Sequence, residues 1–191
     1  MASPAVKVFE VDSPATQREK LSRARKAFGS FPKYVTYVAL DFDRDKLDRR
    51  ITETGYDTTL KTLFIWEGVS YYVTAKAVDE ILGFVVENSG PGSTILFDYV
   101  YESFLDGKCR LRGARRLTLA YKVLWRLIFR REPFIFGIDP QNVEDFLCAR
   151  GFRLAYRTNG DYHVPGCRRN GICFVENLEA VVREGRVNGI Q

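Results

Sequence analysis

The chain has 191 residues, 46% of them apolar and 14% aromatic, and carries a formal net charge of +5. This is enough apolar material for a single domain with a sizeable core. No uninterrupted apolar run approaches the about 20 residues of a spanning helix, and Met1-Ala2-Ser3-Pro4-Ala5 lacks the basic and apolar regions of a secretory signal, so a cytoplasmic protein is expected.

The cysteines, Cys109, Cys148, Cys167 and Cys173, show no CxxC spacing, and His163 is the single histidine, so no metal site is expected. By count alone Cys167 and Cys173 could pair, but free thiols suit a cytoplasmic chain better.

In chain order, Val6 to Val11 is strand-like and ends among the acids Glu10 and Asp12. Pro14 to Phe28 follows as a helix with basic residues on its outer face, broken at Gly29-Ser30-Phe31-Pro32. Tyr34 to Leu40 is a second strand, rich in β-branched and aromatic residues, and it meets Asp41-Phe42-Asp43. Asp45 to Glu53 reads as a short helix closed by Gly55, and Leu60 to Val69 as a buried strand. Thr74 caps a helix through Val86, Ser89 to Gly92 forms a turn, and Ser93 to Tyr101 is a fourth strand. Asp139-Pro140 is expected to open a helix through Ala149, with proline at the first helical position. Gly151 ends it, Phe152 to Arg157 is a strand, and Ile172 to Val175 is read as the last one.

Between the fourth strand and that helix lies a basic helical insertion, at about 103–133. It holds Lys108, Arg110, Arg112, Arg115, Arg116, Lys122, Arg126, Arg130 and Arg131 and no acid between Lys108 and Arg131. Lys122, Arg126 and Arg130 share one helix face, and Leu117, Tyr121, Leu124 and Ile128 fall on another. A solvated face is the simplest reading; a cover over an acidic substrate or a surface for anionic lipid are the others. No recognised motif accompanies the charge, so nucleic acid is not expected as a partner.

Strands alternating with helices imply a mostly parallel sheet with helices on both faces, whose ligand binds outside the carboxyl ends of the strands. The acids at those ends are Glu10, Asp12, Asp41, Glu67 and Asp98. A carboxylate there suits a ribose, because it accepts from two vicinal hydroxyls.

These residues also carry a family resemblance. Phe9-Glu10-Val11-Asp12-Ser13-Pro14 with Lys20, then Val38-Ala39-Leu40-Asp41-Phe42, then Thr62 to Val73 around Trp66-Glu67-Gly68-Val69, then Gly92-Ser93 and Phe97-Asp98-Tyr99, stand in the order and spacing of a known family. The chain resembles the leucine carboxyl methyltransferases, which depend on S-adenosylmethionine, from about residue 6 to about residue 155. The resemblance implies a Rossmann-like class I methyltransferase sheet. It implies that Asp12 holds the cofactor's ribose hydroxyls with Glu10 in support, and that Asp41 accepts from the adenine amino group with Phe42 beside the ring. Glu67 falls near the methionine end, and Tyr71, Tyr72 and Tyr99 are the candidates on the substrate side.

The implied reaction is O-methylation of a carboxylate or hydroxyl on a small molecule or protein. A carboxylate acceptor needs alignment and exclusion of water rather than a catalytic triad, and no catalytic residue is assigned. A hydroxyl acceptor would need a base, for which His163 is the candidate. Family members carry a further stretch before the region of resemblance, including the first strand and its Gly-rich turn. The expectation is therefore one domain, 1–191, incomplete at its N-terminus, with an upstream-encoded segment completing the fold. Two other readings remain: a non-catalytic remnant, and a nicotinamide-dependent oxidoreductase, against which stands the absence of a GxGxxG turn.

Overall fold

The computed structural model describes residues 6–42, 44–105, 134–159 and 175–183. They belong to two compact units, Met1–Thr58 and Thr59–Gln191. The basic stretch 108–131, His163, Cys109, Cys167 and Cys173 lie outside the described residues.

In the first unit, β1 (Val8–Asp12) and β2 (Val35–Ala39) pair in parallel, with Val8 opposite Val35 and Asp12 opposite Ala39. Parallel neighbours need a crossover, and α1 (Pro14–Phe28) supplies it. The helix starts where Ser13 Oγ accepts the Thr16 N–H at 3.3 Å, with Pro14 in the first turn, where it lacks no needed donor. It stops at Gly29, whose φ of 75° favours glycine and whose N–H reaches the Arg25 carbonyl. A short helix, α2 (Leu47–Thr52), follows β2. Val38, Leu40, Ile51 and Tyr56 are buried, and the Phe9 and Tyr56 rings meet edge-on at 5.5 Å.

The second unit holds β3 (Leu63–Trp66), α3 (Ala75–Glu87), β4 (Thr94–Val100), α4 (Glu102–Leu105), α5 (Val143–Ala149), β5 (Phe152–Asn159) and β6 (Val175–Val182). Its sheet runs in the order β3-β4-β6-β5. β3 is parallel to β4, and β6 is antiparallel to both β4 and β5, so β3, β4 and β5 point one way and β6 the other. Ile95, Phe97, Tyr99 and Val100 on β4 are buried, as strands paired on both sides require. α3 contributes Ala77, Val78, Ile81, Leu82, Phe84 and Val85, the buried stripe of an amphipathic helix capped by Thr74. Val143 and Leu147 bury the inner side of α5. Arg150, just past α5, pairs with Asp79 of α3 through Nε at 2.8 Å and a terminal nitrogen at 2.7 Å, and its guanidinium lies over the Phe146 ring.

Three elements depart most from the sequence expectation. β3 is confined to Leu63–Trp66 within the expected 60–69 and is not a buried strand: among the described residues it pairs on one side only, and Leu63 and Ile65 are exposed. α5 begins at Val143, not at Asp139-Pro140, because Asp139 spends its acceptors on a turn. Its carboxylate accepts the Gln141 N–H and its carbonyl the Asn142 N–H, each at 2.9 Å. The last strand lies at Val175–Val182, beyond the expected 172–175.

No helix among the described residues is long and apolar enough to cross a membrane.

Candidate functional site

The first unit gathers its polar groups at the carboxyl end of its two parallel strands. Asp12 closes β1, and Asp41 follows the end of β2 by two residues, so the shared register brings both to the same end of the sheet. Asp12 Oδ1 accepts the Ser13 N–H at 2.7 Å, and its Oδ2 lies 3.1 Å from Lys20 Nζ. The same ammonium pairs with Glu10 Oε1. The buried Gln17 amide donates to Glu10 Oε2 and to the Glu10 carbonyl, each at 3.3 Å. Both acids are mostly covered (23% exposed), whereas Lys20 is half exposed. The bond to Glu10 holds the Lys20 ammonium above its ordinary value, so the group is charged at neutral pH.

Around Asp41 the loop closes on itself. Asp41 N–H donates to Asp45 Oδ2 at 2.9 Å, the Asp45 N–H returns to the Asp41 carbonyl at 2.8 Å, and Arg44 Nε lies 3.7 Å from Asp41 Oδ2. Phe42 is half-buried beside it.

In the second unit the carboxyl ends of β3 and β4 lie side by side, and Asp98 ties them together. Glu67 is exposed directly after β3. The next residue, Gly68, turns with φ 73° and donates its N–H to Asp98 Oδ1 at 2.9 Å. Ser70 Oγ donates to the Asp98 carbonyl. Asp98 is 4% exposed. Burial pushes its carboxyl above the usual carboxylate value, opposed by hydrogen bonds from Gly68 and Tyr71 and aided by the Glu67 charge. The Tyr71, Tyr72 and Phe134 rings pack with centroids 4.7–5.2 Å apart, and the Ile135 N–H donates to the Tyr71 carbonyl at 2.8 Å. Tyr99 has no exposed surface.

Of the residues singled out in the sequence, the structure brings Glu10 and Asp12 together with Lys20, sets Asp41 and Phe42 at the same strand ends, and places Glu67 and Tyr71 each within reach of Asp98. Gln17 and its grip on Glu10 escaped the sequence reading. The signal is a polar residue on the least exposed stripe of α1, where Leu21 and Ala24 follow at helical spacing.

The family pattern of leucine carboxyl methyltransferase matches residues 1–86. Over that part the chain is similar to this family. YktD of Bacillus subtilis is 35% identical over 104 residues, covering 54% of this chain and 34% of its own length. A Mycobacterium avium protein is 26% identical over 169 residues, covering 87% of this chain and 53% of its own length. Both are named as S-adenosyl-L-methionine-dependent methyltransferases. This chain thus spans between a third and about half of those relatives. Among solved structures, a Listeria monocytogenes protein also named as such a methyltransferase superposes with a TM-score of 0.63 at 11% identity, over 93% of this chain and 80% of its own. The likeness shows a Rossmann-like α/β fold.

Proposed function

We propose that this chain carries the nucleoside-holding part of an S-adenosylmethionine-dependent methyltransferase that transfers a methyl group to a carboxylate or hydroxyl oxygen of a small molecule or protein. The observation that carries this reading is the set of carboxylates at the carboxyl ends of the parallel strands β1 and β2, where such sheets take their ligands. Asp12 keeps acceptor capacity on both oxygens, and its partners, the Ser13 N–H and the Lys20 ammonium, hold it still, so it fits a vicinal diol. Asp41, with Phe42 beside it, fits the polar edge and the face of an adenine. In the second unit, Glu67 is exposed and free of the sheet, as a group meeting the cofactor's amino-acid end needs to be. Tyr71 and Tyr72 are half-buried next to it and line the acceptor side in this reading.

When bound, S-adenosylmethionine supplies an activated methyl group on a sulfonium. The residues here bind, orient and exclude water; a carboxylate acceptor is already ionised at neutral pH and asks for no base. The relatives' names favour methyl transfer over the hydride chemistry that a ribose-binding acid would also serve.

A strand and a Gly-rich turn supplied from outside these 191 residues complete the site in this proposal. It is supported by the edge of β3 away from β4, which has no strand partner among the described residues. There Leu63 and Ile65 stand 58% and 68% exposed on one face.

Calorimetric titration with S-adenosylmethionine of a form that binds the cofactor, the chain joined to a segment with the family's first strand and Gly-rich turn, tests the nucleoside reading. Asp12→Ala is expected to weaken binding by roughly 1–3 kcal/mol, the usual loss of a charge-assisted partner. An unchanged dissociation constant removes Asp12 from the site.

A further inference from the structure

We infer that Lys20 is the positioning residue of the ribose-binding carboxylate, an assignment that rests on the nucleoside reading proposed above and adds a residue to it. Glu10 and Asp12 are two apart on β1, so their side chains leave the same face of the strand. Two carboxylates placed so repel each other, and free rotation about χ1 and χ2 lets Asp12 swing away from its neighbour. The Lys20 ammonium touches both, pairing with Glu10 Oε1 and with Asp12 Oδ2 at 3.1 Å. Glu10 is in turn gripped by the buried Gln17 amide, which makes it a fixed anchor for the lysine rather than a second mobile acid.

The consequence for Asp12 is geometric. Each carboxylate oxygen accepts two hydrogen bonds. Oδ1 has taken one from Ser13 N–H and Oδ2 one from Lys20, among the described residues. One acceptor site is left on each oxygen, the number that two adjacent hydroxyls need. Remove the lysine, and Oδ2 loses the contact that fixes the plane while Glu10 again repels it. The diol then meets a carboxylate whose orientation must be ordered at the moment of binding. Lys20 thus acts through Asp12 and does not itself touch the ribose.

A ratio of nucleoside affinities separates this role from a merely structural one. Adenosine and 2′-deoxyadenosine are titrated into isotope-labelled protein and followed by amide chemical shifts, which read millimolar binding. Wild type is expected to prefer adenosine by roughly tenfold, about the worth of one hydrogen bond to a charged group. Lys20→Met should lose most of that preference, Lys20→Arg should retain it because a cation still bridges the two acids, and Asp12→Asn should abolish it. Overall folding is read from the same spectra, and Lys20→Gln stands in if the methionine variant unfolds. A Lys20→Met or Lys20→Gln protein that keeps the full preference, while Asp12→Asn loses it, overturns the role of Lys20 and leaves the ribose reading standing. No preference in wild type, or no binding of either nucleoside, overturns both.

Discussion

Asp98 shows how burial and function compete at a single residue. Its carboxylate holds the Gly68 turn, yet it is almost wholly withdrawn from water, so ionisation costs more in the folded chain than in the unfolded one. The direction follows from linkage. A carboxyl raised above its ordinary value of 3.8 binds more protons folded than unfolded across the window between the two values. Its contribution to stability is complete below about pH 3.8 and is lost as pH rises through the higher folded value. Asp98→Asn keeps an oxygen for Gly68 N–H but cannot ionise. Urea unfolding at a series of pH values should therefore show the wild type losing stability relative to the variant as pH climbs through that window. Parallel curves for the two proteins would remove the ionisation of Asp98 from the balance.

Among the elements, the entry into β4 is set by close backbone approach. The Gly90 N–H donates to the Leu60 carbonyl at 2.9 Å, and Ser93 Oγ accepts the Thr62 N–H while donating to the Gly90 carbonyl. A Cβ on Gly90 would sit 2.3 Å from the Thr59 carbonyl oxygen and 2.7 Å from the Leu60 carbonyl carbon, and backbone cannot step aside as a side chain can. Gly90→Ala should thus cost about 1–3 kcal/mol, the range of a forced overpacking, seen as a lower denaturation midpoint. An unchanged midpoint would mean that the turn relaxes. The neighbouring β3 behaves oppositely, because its outer face is open. Leu63→Thr with Ile65→Thr should leave the midpoint nearly unchanged and reduce self-association of the isolated chain in light scattering, since threonine keeps strand propensity and removes apolar surface from an edge. Greater association in the double variant would contradict this.

For the molecule as a whole, the family resemblance and the open edge of β3 lead to one expectation. The 191 residues contain no GxGxxG turn, and in the proposed reading the backbone N–H groups that such a turn offers a ligand are supplied by an added segment. If ~4 kcal/mol of contacts are missing, binding weakens about a thousandfold. The isolated chain should therefore bind S-adenosylmethionine weakly and transfer little methyl. Supplying a segment with the family's first strand and Gly-rich turn, fused or as a second chain, should restore affinity. Micromolar binding by the 191-residue chain alone would show that other residues provide those contacts.

The local chemistry of the chain determined much of this by itself. Ser13-Pro14 and Gly29 bound α1 at Pro14–Phe28, the limits expected from the sequence, because a cap, a proline and a left-handed glycine act within a few residues. The acids after β1, β2 and β3 were legible for the same reason: strand patterning places its own carboxyl end. What the sequence left open depends on distant partners. β6 lies later than its expected place because Val175-Glu176-Asn177-Leu178-Glu179-Ala180 lacks a strong strand signature, and it becomes a strand by pairing between β4 and β5. Asp139-Pro140 carries the signature of a helix start, but the aspartate's own turn bonds win there. The complete burial of Tyr99 also depends on the two neighbours of β4. The grip of Lys20 and Gln17 on Glu10 likewise needs α1 folded back along β1, since hydrogen bonds between residues seven and ten apart have no local cause.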